Sequence, residues 1–417
     1  MSLPLARVDA LVVGGGPAGL AAATALRADG AGSVLVVERE SDAGGIPRHC
    51  EHSGFGLRDL RRVLSGPAYA RRWVDRATDA GAEIWTRTMV TGWSSEGQAE
   101  LTSPEGVRRV EARAVVLATG ARERPRTARL VPGDRPMGVF TTGQLQQWVH
   151  HERLPVGRRA VIVGAEHVSY SAVLTLRQAG VRPIALVTEY PRAQTLRLFD
   201  LVTRLGLRVP VWTRTTVAGL YGRDRVDKVL LRGPEGQMRE LPVDTVVFTG
   251  DWIPDHELAR LARVTIDPGT NGPACDVDGR TSVDGIFAAG NLVHPVETAD
   301  IAAHRAASVG AAVVAWLRRK EHDPGFGATV RVRVTDPLQW VVPNLARLGE
   351  RTDRPVLLHS NEFLEHPSVR VEQDGRTLAT YGLRCIIPNR SHHIPSDWLS
   401  AVDPGGGDVL VSVSSPR

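Results

Sequence analysis

Short, fully apolar runs alternate with helical patterns along the first three quarters of the chain. Residues 9–13 are one such run; a glycine-rich turn, an alanine-rich stretch over about 18–28 and a second apolar run over 34–37 follow it. Four or five apolar residues in a row, bounded by glycine, are typical of strands buried on both faces of a parallel sheet. The pattern therefore predicts a βαβ unit of about thirty residues near the start of the chain.

A second βαβ pattern lies further along the chain, with apolar runs over 160–164 and 184–187 and a helical stretch over about 169–179 between them. A long helical pattern over 300–319 follows, and beyond about residue 325 polar and apolar residues alternate as they do in β-strands. The sequence therefore predicts an α/β fold with two Rossmann-like domains, the second inserted into the first, and a small β-rich C-terminal domain. The predicted domains are 1–150 with 245–325 for the first, 151–244 for the second and 326–417 for the third.

Composition narrows the class of protein. Hydrophobic residues make up 42% of the chain and charged residues 23%, which is ordinary for a soluble globular protein. The net charge of +5 comes from interspersed charges of both signs, which gives nucleic-acid binding little support. No apolar stretch approaches the roughly 20 residues that cross a bilayer, and the first predicted strand begins too early to leave room for a signal peptide. We therefore expect a cytoplasmic protein without a membrane span.

The first glycine turn carries the pattern G-x-G-x-x-G at Gly14, Gly16 and Gly19. In such a turn the first glycine permits the sharp bend, the second lets the backbone approach a pyrophosphate, and the third lets the helix pack against the strand. The start of the following helix offers N–H groups and a positive dipole end to the phosphates. Glu38 ends the second strand, where a carboxylate binds the hydroxyls of an adenosine ribose. Together these positions predict a dinucleotide site, because a ligand-free turn would not explain Glu38.

The sequence resembles the two-dinucleotide-binding-domain flavoproteins, the superfamily of glutathione and thioredoxin reductases. Four matches in the same order carry the resemblance: the first glycine turn with Glu38, Gly44-Gly45, Ala118-Thr119-Gly120, and the segment Thr281–Asn291. The resemblance implies that FAD is the cofactor. By the same resemblance, the FAD contacts are Gly14, Gly16, Pro17, Ala18, Gly19, Glu38, Gly45, Ala118, Thr119, Gly120, Gly290, Asn291, Glu297, Thr298 and Ala299.

One of these positions departs from the superfamily, which usually has an aspartate where this chain has Asn291. An amide oxygen still accepts a hydrogen bond from a hydroxyl, but it does so without the charge of a carboxylate. We therefore expect FAD binding to survive the difference, with a weaker hydrogen bond at this position.

The turn of the second βαβ unit departs more strongly from a dinucleotide-binding pattern. Glycines are expected where the chain has Gly164-Ala165-Glu166-His167-Val168-Ser169, and Glu166 stands in place of the second glycine. The carboxylate of Glu166 would crowd and repel a pyrophosphate. We therefore expect a degenerate second nucleotide site at Gly164, Glu166 and Ser169, with NAD(P)H binding lost or altered in favour of an adenine nucleotide such as ATP or AMP. The alternative is a displaced NAD(P)H site that still works.

The cysteines argue against one kind of flavin chemistry. Cys50, Cys275 and Cys385 lie far apart in the sequence, which excludes the redox disulfide of the disulfide reductases and gives no zinc pattern. Cys50 is either a lone thiol near the flavin or, as the more common case, a buried core cysteine. No metal site is predicted.

Histidines supply further candidates. His49, His52 and His294 are candidates for the flavin edge, where an imidazole could transfer a proton, and each could equally be a structural histidine. His49, His294 and the thiol of Cys50 are the candidate catalytic groups. Adjacent residues on a strand point to opposite faces, so His392 and His393 favour a solvated loop over a metal site.

The segments Gly44–Gly56, Ala118–Arg126 and Gly290–Pro295, together with the altered second turn, resemble a narrower group. Its members are FAD-binding subunits of multi-subunit dehydrogenases: the α-type subunit of dye-linked L-proline dehydrogenase, opine oxidase, hydrogen cyanide synthase, and partners of anaerobic glycerol-3-phosphate dehydrogenase. In that group a sister subunit usually carries the flavin that oxidises the amine or alcohol. Electrons then pass between subunits, often with an iron–sulfur element.

The resemblance implies an FAD-dependent oxidoreductase subunit that acts on an amino acid, an opine or a related small metabolite. Its expected partners are a second flavoprotein subunit, an iron–sulfur protein and a small-molecule substrate. Two alternatives stay open: a self-contained NAD(P)H:acceptor oxidoreductase, and a nucleotide-binding scaffold subunit without turnover. The residues do not identify the substrate or the electron acceptor.

Overall fold

The computed structural model describes residues 4–195, 205–206, 208–295, 297–319, 329–347 and 352–414. By the density of its contacts the chain divides into two compact units. The first unit comprises Met1–Arg48, Gly54–Ala121 and Pro254–Arg417, and the second unit comprises His49–Ser53 and Arg122–Ile253. The second unit is therefore an insertion between two parts of the first, as the sequence predicts.

The α-helices of the described residues are α1 (Pro17–Ala28), α2 (Gly66–Asp79), α3 (Thr142–His150), α4 (His167–Gln178), α5 (Glu257–Leu261) and α6 (Ala299–Leu317). The first strands are β1 (Leu5–Val13), β2 (Val34–Val37), β3 (Ser53–Phe55), β4 (Leu64–Ser65), β5 (Glu83–Trp85), β6 (Met89–Trp93), β7 (Ala99–Ser103), β8 (Gly106–Leu117), β9 (Ala121–Glu123) and β10 (Val139–Thr141). They are followed by β11 (Arg159–Val163), β12 (Arg182–Val187), β13 (Val211–Trp212), β14 (Thr216–Tyr221), β15 (Lys228–Arg232), β16 (Met238–Pro242), β17 (Thr245–Phe248), β18 (Trp252–Pro254) and β19 (Ile286–Ala288). The last strands are β20 (Thr329–Val334), β21 (Leu338–Val342), β22 (Leu345–Arg347), β23 (Val356–Ser360), β24 (Leu364–Glu365), β25 (Ser368–Gln373), β26 (Arg376–Gly382), β27 (Cys385–Ile386), β28 (His392–Ile394) and β29 (Val409–Ser414).

The first unit is built on a sheet with the strand order β5-β2-β1-β8-β7-β6, and β19 also pairs with β8. β2, β1, β8 and β19 are parallel, so their carboxyl ends meet at one edge of the sheet. The ends of these strands consist of buried apolar residues, such as Leu11, Val36 and Val116, as is expected for strands that are covered on both faces. The glycine turn that follows β1 therefore lies at the carboxyl edge, where open α/β sheets bind their ligands.

The second unit is built on an all-parallel sheet in the order β10-β17-β11-β12-β13. Leu145 of α3 and Val173 of α4 share one apolar core with this sheet, and the antiparallel sheet β14-β15-β16 shares another. The sequence pattern predicts that the first domain extends to residue 150. The structure instead groups β10 and α3 with the second unit, because β10 pairs with β17 and α3 packs against α4.

The C-terminal part is β-rich, as predicted. It contains the mixed sheet β22-β20-β29-β25-β26 and the antiparallel sheet β21-β23-β28, with a core that includes Val371, Ile386 and Trp398. Trp340 and Leu357 join the apolar core of the first unit's sheet instead. We call this C-terminal part the β domain. It belongs to the first unit and packs against that unit's sheet β5-β2-β1-β8-β7-β6.

One local expectation differs from the structure. His392 and His393 lie on β28 and not in a solvated loop, since β28 pairs with the buried strand β23. None of the described helices is both long enough and apolar enough to cross a membrane.

Candidate functional site

The glycine turn after β1 has a backbone that tolerates no larger side chains at two of its three glycines. Gly14 has φ +111°, and a Cβ on it would lie 2.4 Å from the carbonyl oxygen of Ala118. A Cβ on Gly19 would lie 1.9 Å from the carbonyl oxygen of Gly14. Both distances are far inside van der Waals contact, so these glycines fix the bend and the close packing of α1 on the strands.

The start of α1 offers unused donors beside open space. Leu20 donates the first helical hydrogen bond back to Gly16, so the amides of Ala18 and Gly19 precede the hydrogen-bonded ladder. A Cβ on Gly16 would meet nothing closer than the Cα of Gly45, at 3.9 Å. Backbone N–H groups, the positive end of the helix dipole and two facing glycines together form a cradle that suits a pyrophosphate.

Glu38 is held in place at the end of β2. Its side chain is buried, with Oε2 accepting the Gly15 N–H at 2.9 Å and Oε1 accepting the Glu40 N–H at 2.9 Å. Each carboxylate oxygen has a second lone pair, so the group can still accept hydrogen bonds from ribose hydroxyls. The backbone bonds fix the direction in which those lone pairs point.

Ala118, Thr119 and Gly120 follow β8 at the same edge of the sheet. The Ala118 N–H donates to Val13 at 2.9 Å, and the Thr119 hydroxyl donates to the carbonyl oxygen of Asp255 at 2.7 Å. The predicted contacts of this segment are thus brought next to the first glycine turn, because Val13 immediately precedes Gly14. The Thr119 hydroxyl supports the local backbone.

Asn291 has a buried hydrogen-bond acceptor that no protein group uses. Its Nδ2 donates to the carbonyl oxygen of Glu297 at 3.1 Å, while its Oδ1 is buried without a hydrogen-bond partner. Gly290 beside it has φ +71°, and a Cβ there would lie 2.6 Å from the Cβ of Ala18. An orphaned acceptor next to the pyrophosphate cradle fits a ribityl hydroxyl, so the residues present fit FAD.

The predicted contacts Glu297, Thr298 and Ala299 lie at the start of α6. Thr298 is the residue before the first helical turn, and Ala299 begins the helix. Burial raises the pKa of the Glu297 carboxyl, whose Oε1 accepts a hydrogen bond from the Ser391 hydroxyl of the β domain. The β domain therefore reaches the predicted cofactor site.

The second unit repeats the backbone of the first glycine turn. The Gly14 N–H donates to Val37 at 2.9 Å, and at the matching position the Gly164 N–H donates to Val187 at 2.8 Å. The Gly44 N–H likewise donates to Gly15 at 2.7 Å. Its counterpart, the Gln194 N–H, donates to Ala165 at 3.0 Å. The two turns are therefore equivalent in backbone and differ in their side chains.

Those side chains fill the second turn. Glu166, the counterpart of Gly16, is buried, with Oε2 accepting the Ala165 N–H at 2.9 Å and Oε1 accepting the Thr249 hydroxyl at 2.5 Å. The Ser169 hydroxyl contacts the Thr249 hydroxyl at 2.7 Å and accepts the Glu166 N–H at 3.3 Å. The carboxylate side chain thus fills the space that the second glycine leaves open in the first turn, and it places negative charge at the start of α4.

The other nucleotide-facing positions of the second turn are changed as well. Thr188 stands where Glu38 stands in the first unit, and its hydroxyl accepts from the Gln194 amide at 2.9 Å. Buried Gln194 and Thr195 stand where the first unit has Gly44 and Gly45. The second turn therefore lacks both the ribose-binding carboxylate and the open glycine wall of the first.

Sequence reasoning missed a second buried carboxyl group of this unit. Glu123 Oε2 accepts the Gly143 N–H at 2.8 Å at the start of α3, and burial raises the pKa of Glu123 to about 7. Arg129 donates to the carbonyl oxygens of Thr249 and Gly250, and it lies close enough to interact with Glu123 and Glu166. No sequence signal marks Glu123, because its burial depends on contacts with residues that are distant along the chain.

The structure places His49, Cys50 and His52 in the second unit. Cys50 Sγ donates to Gln146 at 3.4 Å, and burial raises the pKa of the thiol to about 12, which keeps it protonated. The His49 ring packs edge-on against His151 with centroids 4.5 Å apart. Cys50 thus has the environment of a buried core cysteine.

His294 lies in the first unit but is not suited to transfer protons near neutral pH. It is buried, and burial lowers its pKa to about 3. Its ring packs on Trp340, which stacks on His359 with centroids 5.2 Å apart and planes 11° apart. Among the described residues, no group of three or more histidine, cysteine or acidic side chains is arranged to hold a metal ion.

Comparison with known proteins shows which protein family the chain matches. The model of a family described as pyridine nucleotide-disulphide oxidoreductase matches residues 8–307. An opine oxidase subunit from Agrobacterium tumefaciens (strain Ach5) is 28% identical over 313 residues, which cover 68% of this chain and 61% of that protein. The corresponding opine oxidase subunit from Rhizobium meliloti (strain 1021) is 32% identical over 181 residues, 43% of this chain and 38% of that one. The matches thus span less than two thirds of both relatives.

The fold has a counterpart among solved structures. Thioredoxin reductase of T. acidophilum superposes with a TM-score of 0.61 at 18% identity, covering 74% of this chain and 98% of that one. The likeness at this identity shows the fold, and it extends over nearly the whole of the smaller protein. The fold class expected from the sequence is confirmed.

Proposed function

Because the chain belongs to the pyridine nucleotide-disulphide oxidoreductase family and is an FAD-dependent oxidoreductase, we propose that it is the FAD-binding subunit of a larger dehydrogenase or oxidase. The proposed substrate of the assembly is an amino acid, an opine or a related small metabolite. The two opine oxidase relatives support this substrate class. The proposed partners are an iron–sulfur protein and a second flavoprotein subunit.

The single observation that carries the proposal is the buried carboxylate of Glu166 in the second turn. A self-contained NAD(P)H oxidoreductase needs a pyrophosphate at the start of α4, and there this carboxylate would oppose it in a medium of low dielectric constant. Thr188 also lacks the charge that a ribose-binding residue would supply. Electrons therefore have to reach this chain by another route, and a partner that oxidises the substrate provides one.

The residues of the first unit would hold FAD as follows. The amides at the start of α1 bind the pyrophosphate, Glu38 accepts from the adenosine ribose, and Asn291 Oδ1 accepts from the ribityl chain. When bound, FAD accepts electrons as a hydride or singly and passes them on. Cys50, Cys275 and Cys385 lie far apart in the sequence and do not form the redox-active cysteine pair of a disulfide reductase, which favours electron transfer to a partner.

Anaerobic mixing of the purified yellow chain with NADH and with NADPH tests the proposal. The flavin should stay oxidised for minutes with either nucleotide, while photoreduction bleaches it and so shows that it is reducible. Substrate should reduce it only when the partner protein is present. Rapid bleaching by NADH or NADPH alone would favour the self-contained oxidoreductase, and a colourless chain that refuses added FAD would favour the scaffold.

A pair of variants tests the role of Glu166. E166G removes the side chain and restores the glycine of the pattern, whereas E166Q keeps the volume and removes only the charge. ADP affinity should rise in E166G above that of E166Q, since the amide of E166Q still fills the turn. If neither variant bound ADP detectably, residues other than Glu166 would block the site. If the wild type bound ADP as tightly as E166G does, the proposal would be wrong.

A further inference from the structure

Two linked hydrogen bonds join the β domain to the orphaned acceptor of Asn291. The Ser391 hydroxyl donates to Oε1 of Glu297, and the main-chain carbonyl oxygen of Glu297 accepts from Nδ2 of Asn291 at 3.1 Å. All three residues belong to the first unit. Asn291 Oδ1, on the other side of the amide, is buried without a hydrogen-bond partner. A serine of the β domain is therefore connected, through Glu297, to the proposed ribityl contact.

The amide of Asn291 has two different ends, so its orientation decides what it offers to a ligand. An amide carries an acceptor oxygen on one side and an NH₂ donor on the other, whereas a carboxylate carries acceptor oxygens on both. The Glu297 carbonyl oxygen can only accept, and it takes the Nδ2 side. This bond turns Oδ1 away from Glu297 and leaves it for a ligand. An aspartate at this position would not need such a partner.

The side chain of Glu297 lies among charged groups. Burial raises the pKa of its carboxyl group, while the hydrogen bond from Ser391 and the charges of Arg305 and Arg58 favour the ionised form. Asp300 opposes ionisation through its own charge. The hydroxyl of Ser391 adds a fixed direction to these attractions, because a hydrogen bond requires alignment of donor and acceptor. Ser391 therefore determines where the carboxyl group of Glu297 lies.

The segment that carries Ser391 is held on both sides. Ser391 directly precedes β28, which pairs with the buried strand β23. Two residues before Ser391, the Asn389 N–H donates to Nε2 of His359 at 3.0 Å. Burial lowers the pKa of His359 to about 4, so the ring stays neutral and able to accept, and it stacks on buried Trp340. The hydroxyl of Ser391 is thus presented to Glu297 from a rigid part of the β domain.

We propose that Ser391 is a positioning residue for FAD. By holding Glu297, it keeps the Glu297 carbonyl oxygen on Nδ2 of Asn291 and so keeps Oδ1 turned towards the ribityl chain. The assignment rests on the proposed contact between Asn291 and FAD. It gives the β domain a part in cofactor binding besides its packing against the sheet.

Fluorescence titration of the full-length apoprotein with FAD tests the proposal. S391A removes the hydroxyl and should weaken FAD binding about three- to tenfold, because the orientation of Asn291 is no longer fixed. S391T keeps a hydroxyl and should bind FAD nearly as the wild type does. The Ser400 hydroxyl donates to Asp397 at 2.9 Å within the β domain, so S400A is the matched control and should leave FAD affinity unchanged.

The N291D background separates positioning from a general loss of structure. A carboxylate presents an oxygen at either end, so it needs no orientation by Glu297. S391A should therefore leave the FAD affinity of N291D unchanged, whereas a loosened β domain would weaken FAD binding in both backgrounds. Wild-type FAD affinity in S391A, equal weakening in both backgrounds, or an S391A chain that does not fold would overturn the proposal.

These outcomes are separate from a failure of the proposed function. The titrations use neither NAD(P)H nor a substrate, so they do not depend on how electrons reach the flavin. Wild-type FAD affinity in S391A would overturn the positioning role alone. A wild-type chain that bound no FAD would instead contradict the proposed function and, with it, this assignment.

Discussion

Glu123 and Glu166 are buried carboxyl groups of the second unit, each accepting a backbone N–H at or beside the start of a helix. A carboxylate at such a position complements the helix dipole, but removal from water opposes its ionisation. For Glu123 the effect of burial exceeds that of the Gly143 N–H, and its pKa rises to about 7. The protonation state of this side chain therefore changes within the physiological pH range.

The raised pKa of Glu123 predicts a pH-dependent stability. Between its ordinary pKa of 4.5 and about 7, the unfolded chain releases this proton while the folded chain keeps it. The free energy of unfolding should therefore fall by about 3 kcal/mol as the pH rises from 4.5 to above 7, most of it before pH 7. Denaturant unfolding at pH 5, 6, 7 and 8 measures the change. E123Q cannot ionise and should lose this part of the slope; an unchanged slope would contradict the assignment.

Asn291 allows a test of the orphaned acceptor. N291L removes both Oδ1 and Nδ2, whereas N291D keeps an acceptor and loses only the donor to Glu297. We expect N291L to weaken FAD binding roughly fivefold or more, the equivalent of about 1 kcal/mol for one lost hydrogen bond. N291D should retain wild-type affinity. Fluorescence titration of the apoprotein with FAD measures both, and equal weakening in the two variants would show that the donor matters instead.

At the scale of elements, α1 and α6 make an unusually close contact through small residues. A Cβ on Gly310 would lie 2.6 Å from the carbonyl oxygen of Ala22 and 2.8 Å from the Cβ of Ala25. Ala303 and Ala306 are buried on the same helix. α1 begins at the predicted pyrophosphate site, and α6 begins at Ala299, one of the predicted FAD contacts.

This contact reverses the usual effect of replacing glycine by alanine in a helix. Alanine would ordinarily stabilise a helix interior by up to about 1 kcal/mol over glycine. G310A should instead destabilise the protein by about 1–3 kcal/mol, because the new methyl group forces the helices apart. Gly92 has open space around its Cβ position, so G92A is the matched control and should be nearly neutral. Thermal unfolding with FAD bound compares the two, and a stabilised G310A would refute the contact.

The elements around the two glycine turns could be predicted from the sequence because their signals are local. The apolar run over 34–37 predicts the limits of β2 correctly, because the residues on either side of it are polar or glycine. The replacement of the second glycine by Glu166 is likewise seen in the sequence of the turn itself. The membership of α3 in the second unit could not be predicted, since it depends on pairing between β10 and β17. Glu123 could not be predicted as a buried group for the same reason, because its hydrogen-bond partner Gly143 lies twenty residues away along the chain.

For the molecule as a whole, the β domain takes part in the core of the FAD-binding sheet. Trp340 and Leu357 share an apolar core with Leu292 and Val293, which directly follow the predicted FAD contacts. Asn344 Oδ1 accepts the Cys275 N–H at 2.7 Å, and Arg347 pairs with Asp276. This continuity explains why the first unit includes the β domain, and it implies that cofactor binding and β-domain stability are coupled.

The coupling predicts that the β domain and the FAD-binding domain unfold together. Trp340 is 2% exposed, so W340A should lower the free energy of unfolding by about 3–5 kcal/mol. Leu410 is 38% exposed on β29, and L410A, the matched control, should change it by less than about 0.5 kcal/mol. FAD fluorescence and circular dichroism should follow one shared transition that W340A shifts as a unit. A core shared by the two parts cannot be weakened on one side alone, so W340A has to destabilise both. If W340A shifted only a separate second transition and left FAD release at its wild-type temperature, the β domain would be an independent module.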